Sequence, residues 1–187
     1  MFNSSKDDKT IFNIIESKDN ESILEIIRFM WQADRKDITK KARSNIFILW
    51  QKIYETFEDD KSSNVQTIFS TLSKWFVFID TINDDMFQYL KLTAKYTEKN
   101  HNSYFIVEEL ERLVQNNPKY VAELYIEMLK NDIFPTYEEE KIKNSVDLLY
   151  QLNEQENAFK ICNLYKKRGI YFLNEICKKH SYRIKTT

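Results

Sequence analysis

The chain has 187 residues, 42% of them apolar, a formal net charge of -1, two prolines and one glycine. That apolar share supplies a continuous core without disulfide staples, and the near-zero charge excludes a whole-molecule electrostatic footprint for nucleic acid or an anionic membrane. A lone glycine excludes a dinucleotide fingerprint and a Walker-type phosphate loop, and with so little proline it leaves almost no material for hairpin turns.

Residues 1–8 are polar and read as a frayed N-terminus. The opening MFNSSKDDK lacks the basic start, apolar centre and small-residue cleavage site of a secretory leader, and the longest apolar run, WFVFI from Trp75 to Ile79, is too short to span a bilayer. The expected location is cytoplasmic. From there helical periodicity predicts a single all-α domain over 9–180, followed by a basic C-terminal tail at 181–187.

A short helix is predicted over 9–16. Ile23, Ile26, Ile27 and Met30 share one face of a segment near 21–34, and Ile46, Leu49, Trp50, Ile53 and Phe57 share one face of the next, near 37–58. Val65, Ile68, Phe69, Leu72, Phe76 and Ile79 continue the spacing. With Trp75, Val77 and Phe78 added, this apolar arc is too wide for one contact, which predicts a central helix buried on two sides. Further helices are expected over 84–97, 103–115, 118–130, 137–152, 155–168 and 170–179. No window alternates apolar and polar residues as a strand does.

The rare residues punctuate these helices. Asn117 is placed to cap a helix whose first residue is Pro118, where the missing N–H costs nothing. Pro135 forces its predecessor out of helical geometry, and Thr136 with Glu139 forms a capping-box pattern for the next helix. Ser63 with Gln66 offers a similar start, with Asn64 as the alternative cap. Gly169 follows Lys166, Lys167 and Arg168, where a left-handed residue closes a helix end.

Laying Trp75–Tyr96 over Glu109–Lys130, an offset of 34, pairs Phe76 with Leu110, Ile79 with Leu113, Asn83 with Asn117, Phe87 with Val121 and Leu90 with Leu124. A third helix, turn and helix, VDLLYQLNEQENAFKICNLYKKRG, comes about 36 residues on. Periods of this size belong to stacked helical hairpins. The fold expectation is antiparallel hairpins in a short right-handed array; the alternative is a single compact helical bundle.

From Ser103 to Lys179 the segments FIVEELERLVQNNPKYVAELYIEML, FPTYEEEKIKNSVDLLYQL and NEQENAFKICNLYKKRGIYFLNEI carry these helix lengths and turns. This stretch resembles the HEAT and tetratricopeptide kind of repeat, and more narrowly the C-terminal helical repeats of large bacterial anti-phage defence proteins. The tetratricopeptide W-x2-L-G-x2-Y pattern is absent. The resemblance implies an accessory or sensing subunit and carries over no functional residue. The 22 lysines against 6 arginines fit an AT-rich genome and a bacterial source.

His101 and His180 lie apart in polar segments and read as solvated residues. Cys162 and Cys177 each fall in an apolar helical stripe and read as buried free thiols of a reducing compartment; with His180 they make an incomplete zinc set. Carboxylates such as Asp84, Asp85 and Glu138–Glu140 sit at helix starts, where the helix dipole accounts for them. No catalytic, cofactor-binding or metal residue is assigned.

From Lys160 to Thr187 eight basic residues face one acid, Glu175, while Tyr137–Asn157 carries six acids and two lysines. Tyrosines concentrate from Tyr104 onward, where they suit packing between hairpins or an interface. The functional expectation is a non-enzymatic protein-interaction module. The alternative is a nucleic-acid-binding subunit using Lys166, Lys167, Arg168, Lys178, Lys179 and Arg183. Self-association through Phe12, Trp31 and Trp50 is a third possibility.

Overall fold

The computed structural model describes residues 5–32, 40–97 and 103–184, with side chains for 9–32, 44–97 and 103–180. Within these ranges the helices are α1 (Ser5–Glu16), α2 (Asn20–Trp31), α3 (Lys40–Phe57), α4 (Ser63–Leu72), α5 (Asp84–Tyr96), α6 (Ser103–Leu113), α7 (Pro118–Lys130), α8 (Glu139–Gln151), α9 (Gln155–Lys167) and α10 (Asn174–Ile184). A 3-10 helix, Ser73–Phe78, follows α4, and the described residues include no strand. The chain is therefore all-α, as the periodicity predicts. His101, the first four residues and the last three lie outside the described residues.

Packing follows chain order. In one layer α1, α3, α5, α7 and α9 each pack on the next; in the other, α2 packs on α4, the 3-10 helix on α6, α6 on α8, and α8 on α10. The layers are joined by α1 to α2, α4 to α5, α6 to α7 and α8 to α9. Among the described residues, extensive contacts reach no further than two helices along the chain. The two segments related by the offset of 34 are the 3-10 helix with α5 and α6 with α7, which lie directly on each other. A matched pattern of apolar positions is what stacking equivalent helices requires.

The predicted central helix breaks in two. After Leu72 the backbone tightens, and over Ser73–Phe78 exposure repeats every three residues: Lys74 and Val77 are half-buried and Asp80 exposed, while Ser73, Trp75, Phe76, Phe78 and Ile79 are buried. With three residues per turn, two edges out of three can face inward, which accommodates a side-chain run too apolar for an α-helix with one buried face. Trp75 Nε1 donates to the Ile27 carbonyl at 3.0 Å, and the Ser73 and Thr97 hydroxyls share a buried hydrogen bond of 2.8 Å. Trp50 of α3 meets Trp75 and Phe76 edge-on, with ring centroids 5.8 and 5.6 Å away, and donates to Thr93 Oγ1 at 3.1 Å.

Several helix ends differ from expectation. The Thr136–Glu139 capping box does not form, because α8 begins at Glu139. Residues 133–135 are held off helical geometry from outside: the Tyr165 hydroxyl donates to the Pro135 carbonyl at 3.0 Å, and Phe134 meets the Tyr165 ring edge-on. The cap of α4 is Ser62, whose Oγ accepts the Val65 N–H at 3.4 Å, rather than Ser63 or Asn64. The last helix starts at Asn174, four residues late, since Phe172 packs on Tyr165 and Leu173 is buried before the helix opens.

Asn117 precedes Pro118 as expected but does not cap with its side chain. Its Oδ1 accepts the Ile82 N–H at 2.9 Å and its Nδ2 donates to the Leu113 carbonyl at 3.2 Å, so it ties the α6–α7 turn to the segment entering α5. Gly169 is left-handed, with φ of +76°. Asp132 and Asn153 take the same conformation after α7 and α8, at φ of +63° and +66°. In all three turns the N–H of the following residue returns to a helix carbonyl: Ile133 to Met128, Glu154 to Leu149 and Ile170 to Tyr165, at 3.0 to 3.1 Å. At these three turns one glycine suffices because Asp and Asn enter the left-handed region at lower cost than other side-chain-bearing residues; after α1 Lys18 takes the same conformation, at φ of +57°.

Candidate interaction surfaces

Stacking the odd-numbered helices turns their polar faces into a groove. One depression of about 270 Å³ is lined by Tyr54 of α3, Glu58 of the turn after it, Lys91 and Lys95 of α5, and Glu127 of α7. A second, of about 210 Å³, is lined by Lys91, Glu123, Glu127 and Lys130 together with Asn157 and Lys160 of α9. Lys91 and Glu127 line both, their charged atoms 3.9 Å apart. The run of mixed charge thus draws on α5, α7 and α9, with Tyr54 of α3 and Glu58 of the turn after it at one end. The Tyr54 hydroxyl is pushed up to about 12, first by its hydrogen bond to Glu58 and then by burial, so it remains neutral at physiological pH. Among the described residues no group of His, Cys, Asp or Glu is arranged to hold a metal ion.

Of the basic residues that the sequence suggests for a nucleic-acid contact, two are paired with carboxylates and two line a common cavity. Arg168 is ion-paired with Asp132 and lies over the Phe134 ring, 5.2 Å from its centroid. Lys179 Nζ is 2.7 Å from Asp147 Oδ1. Lys166 and Lys178 line a common cavity of about 240 Å³, and Lys167 is exposed at the end of α9. The Arg183 side chain lies outside those described. Of the six acids of Tyr137–Asn157, Asp147 meets the basic end by direct pairing, and Asp132, upstream of that stretch, pairs with Arg168.

His180 is buried rather than solvated. Its Nε2 is 2.7 Å from Asp147 Oδ1, and its ring stacks on Tyr150 with centroids 4.3 Å apart. Burial disfavours the Asp147 carboxylate, but hydrogen bonds from Lys179 and His180 outweigh it and hold its carboxyl below the ordinary range. The cysteines also depart from expectation: Cys162 of α9 and Cys177 of α10 are joined in a disulfide, not free. Their stripes face each other because α10 returns along α9, which the sequence alone does not specify.

At the N-terminal end, α1 and α2 border an apolar depression of about 720 Å³ that includes Ile11, Ile14, Ile26 and Phe29. The aromatics proposed for self-association are placed otherwise: Trp50 is fully buried, Trp31 packs edge-on against Phe105 at 5.6 Å, and Phe12 packs against the core. Among the described residues of this half, Phe29 and Ile48 are the exposed large apolar ones. No described helix is long and apolar enough to cross a membrane.

The groove residues carried no sequence signal, since every amphipathic helix has a polar face. They become neighbours only once α3, α5, α7 and α9 are set side by side. No protein-family model, curated protein or solved structure matches this chain.

Proposed function

We propose that the chain is a non-enzymatic interaction module that binds a protein partner along the groove of the odd-numbered layer, as an accessory or sensing subunit of a larger assembly. The observation supporting this reading is the shared lining of two adjoining depressions by four alternate helices, α3, α5, α7 and α9, with Lys91 and Glu127 at the junction. Stacked hairpins offer such a surface at no cost to the core, and its mixed charge suits a helix or extended segment bearing both signs. A partner of this kind is preferred to a nucleic-acid backbone because Arg168 and Lys179 are engaged by Asp132 and Asp147. The resemblance of residues 103–179 to repeats of anti-phage proteins makes a bacterial defence assembly the first place to seek the partner.

Affinity purification with quantitative mass spectrometry compares the native chain with a Lys91→Glu/Lys130→Glu variant and with Lys143→Glu on the even-numbered layer. One protein should be enriched by the native chain and Lys143→Glu and lost with the groove variant. Equal recovery by both variants refutes the groove. Absence of any enriched protein, together with low-salt binding of DNA or RNA, transfers the function to nucleic acid.

A further inference from the structure

The Cys162–Cys177 disulfide lies in the wall of the cavity that Lys166 and Lys178 also line. The remaining polar lining is amide, from Asn163 and Asn174, and no described carboxylate lines it. Lys166 and Lys178 are themselves exposed, so the cavity opens to solvent with positive charge at its mouth. A small reagent entering this cavity meets both cysteines and both lysine side chains in one lining. The two cysteines also differ: Cys162 is 5% exposed, Cys177 is half-buried, and the Tyr150 hydroxyl lies 3.9 Å from Cys162 Sγ.

We propose that Cys162–Cys177 is a thiol–disulfide exchange site for small anionic thiols of the glutathione class. The incoming thiolate attacks Cys177 Sγ, which belongs to the more exposed cysteine, and forms a mixed disulfide there. The Cys162–Cys177 bond breaks, and its electron pair leaves on Cys162 Sγ, where the Tyr150 hydroxyl can donate to the new thiolate. Stabilising the leaving thiolate favours this direction of cleavage. A second thiolate attacks the small-molecule sulfur of the mixed disulfide, releasing the oxidised small disulfide and leaving Cys177 as a thiolate. Solvent protonates both cysteines. Two thiols are oxidised and the protein disulfide is reduced, so electrons balance. The lysines raise the local concentration of a negatively charged thiol and stabilise the thiolates produced. Exchange cuts the covalent link between α9 and α10 and leaves α10 attached through its noncovalent contacts, including those of Lys179 and His180 with Asp147.

The test uses the full chain purified without reductant and three thiols at equal thiolate concentration: glutathione, neutral mercaptoethanol and cationic cysteamine. Reduction is followed by quenching with an alkylating agent, and adducts are located by peptide mass spectrometry. Glutathione should react about ten-fold faster than cysteamine at low ionic strength, the preference fading as salt is added. The first adduct should sit on Cys177, Lys166→Glu/Lys178→Glu should reverse the order of the thiols, and Tyr150→Phe should slow release of Cys162. Rates that ignore thiol charge, a first adduct on Cys162, or alkylation of both cysteines without any reductant would each overturn the assignment. The native-chain thiol series decides the matter even if a variant fails to fold.

Discussion

Asn83 and Asn117 occupy equivalent places in the repeated pattern and both precede a helix, yet substituting them should have different consequences. Asn83 Oδ1 accepts the Met86 N–H at 2.8 Å, a local cap that serine or aspartate can supply equally well. Asn83→Ser should therefore change stability by less than about 0.5 kcal/mol, and Asn83→Ala should cost about 1 kcal/mol. Asn117 is buried and spans two turns, accepting from the Ile82 N–H at 2.9 Å. Neither alanine nor serine reaches that far, so the buried Ile82 N–H loses its acceptor, at a cost of about 1–3 kcal/mol. The Leu113 carbonyl is less affected because the Asn117 backbone N–H still donates to it at 3.0 Å. Asn117→Ser and Asn117→Ala should thus be almost equally damaging, near 2 kcal/mol, and lower the midpoint by about 4–8 °C. Urea and thermal unfolding followed by far-UV circular dichroism measure both pairs, with an unchanged urea slope as the check that unfolding remains cooperative. Asn117→Ser as mild as Asn83→Ser would refute the bridging role.

Three other outcomes follow from the same geometry. Asn153 is exposed and left-handed, so Asn153→Val should destabilise by about 1–2 kcal/mol through the backbone alone, while Asn153→Gly should be neutral or stabilising in urea titrations. Trp75→Phe removes the donor to the Ile27 carbonyl and part of a fully buried ring, and thermal unfolding should register a loss of about 1.5–3 kcal/mol. The folded-state carboxyl of Asp147 titrates below its ordinary value, so its contribution is fully present above about pH 4 and disappears as pH falls through the folded value. Asp147→Asn should flatten that acid limb in stability measured against pH; an unaltered limb would place the acid sensitivity elsewhere.

Local chemistry in the chain determines that this protein is helical and where most of its helices lie. Pro118 starts α7 and Gly169 terminates the turn after α9, because their effects reside in a single residue's own backbone. The buried faces of α2 and α3 are likewise written in their spacing, since apolar residues at helical intervals leave one face to hide. What lay beyond the sequence depended on partners distant along the chain. The 3-10 winding after Leu72 answers to Trp50, Ile27 and Thr97, and the lost capping box at Thr136 answers to Tyr165 some thirty residues later. The same holds for function: Lys91 meets Glu127, Arg168 meets Asp132, and Cys162 meets Cys177 only because helices two apart or adjacent are stacked in register. Propensity and capping act over one turn of helix and can be read residue by residue; a groove, an ion pair or a disulfide between helices exists only after tertiary packing has chosen which faces touch.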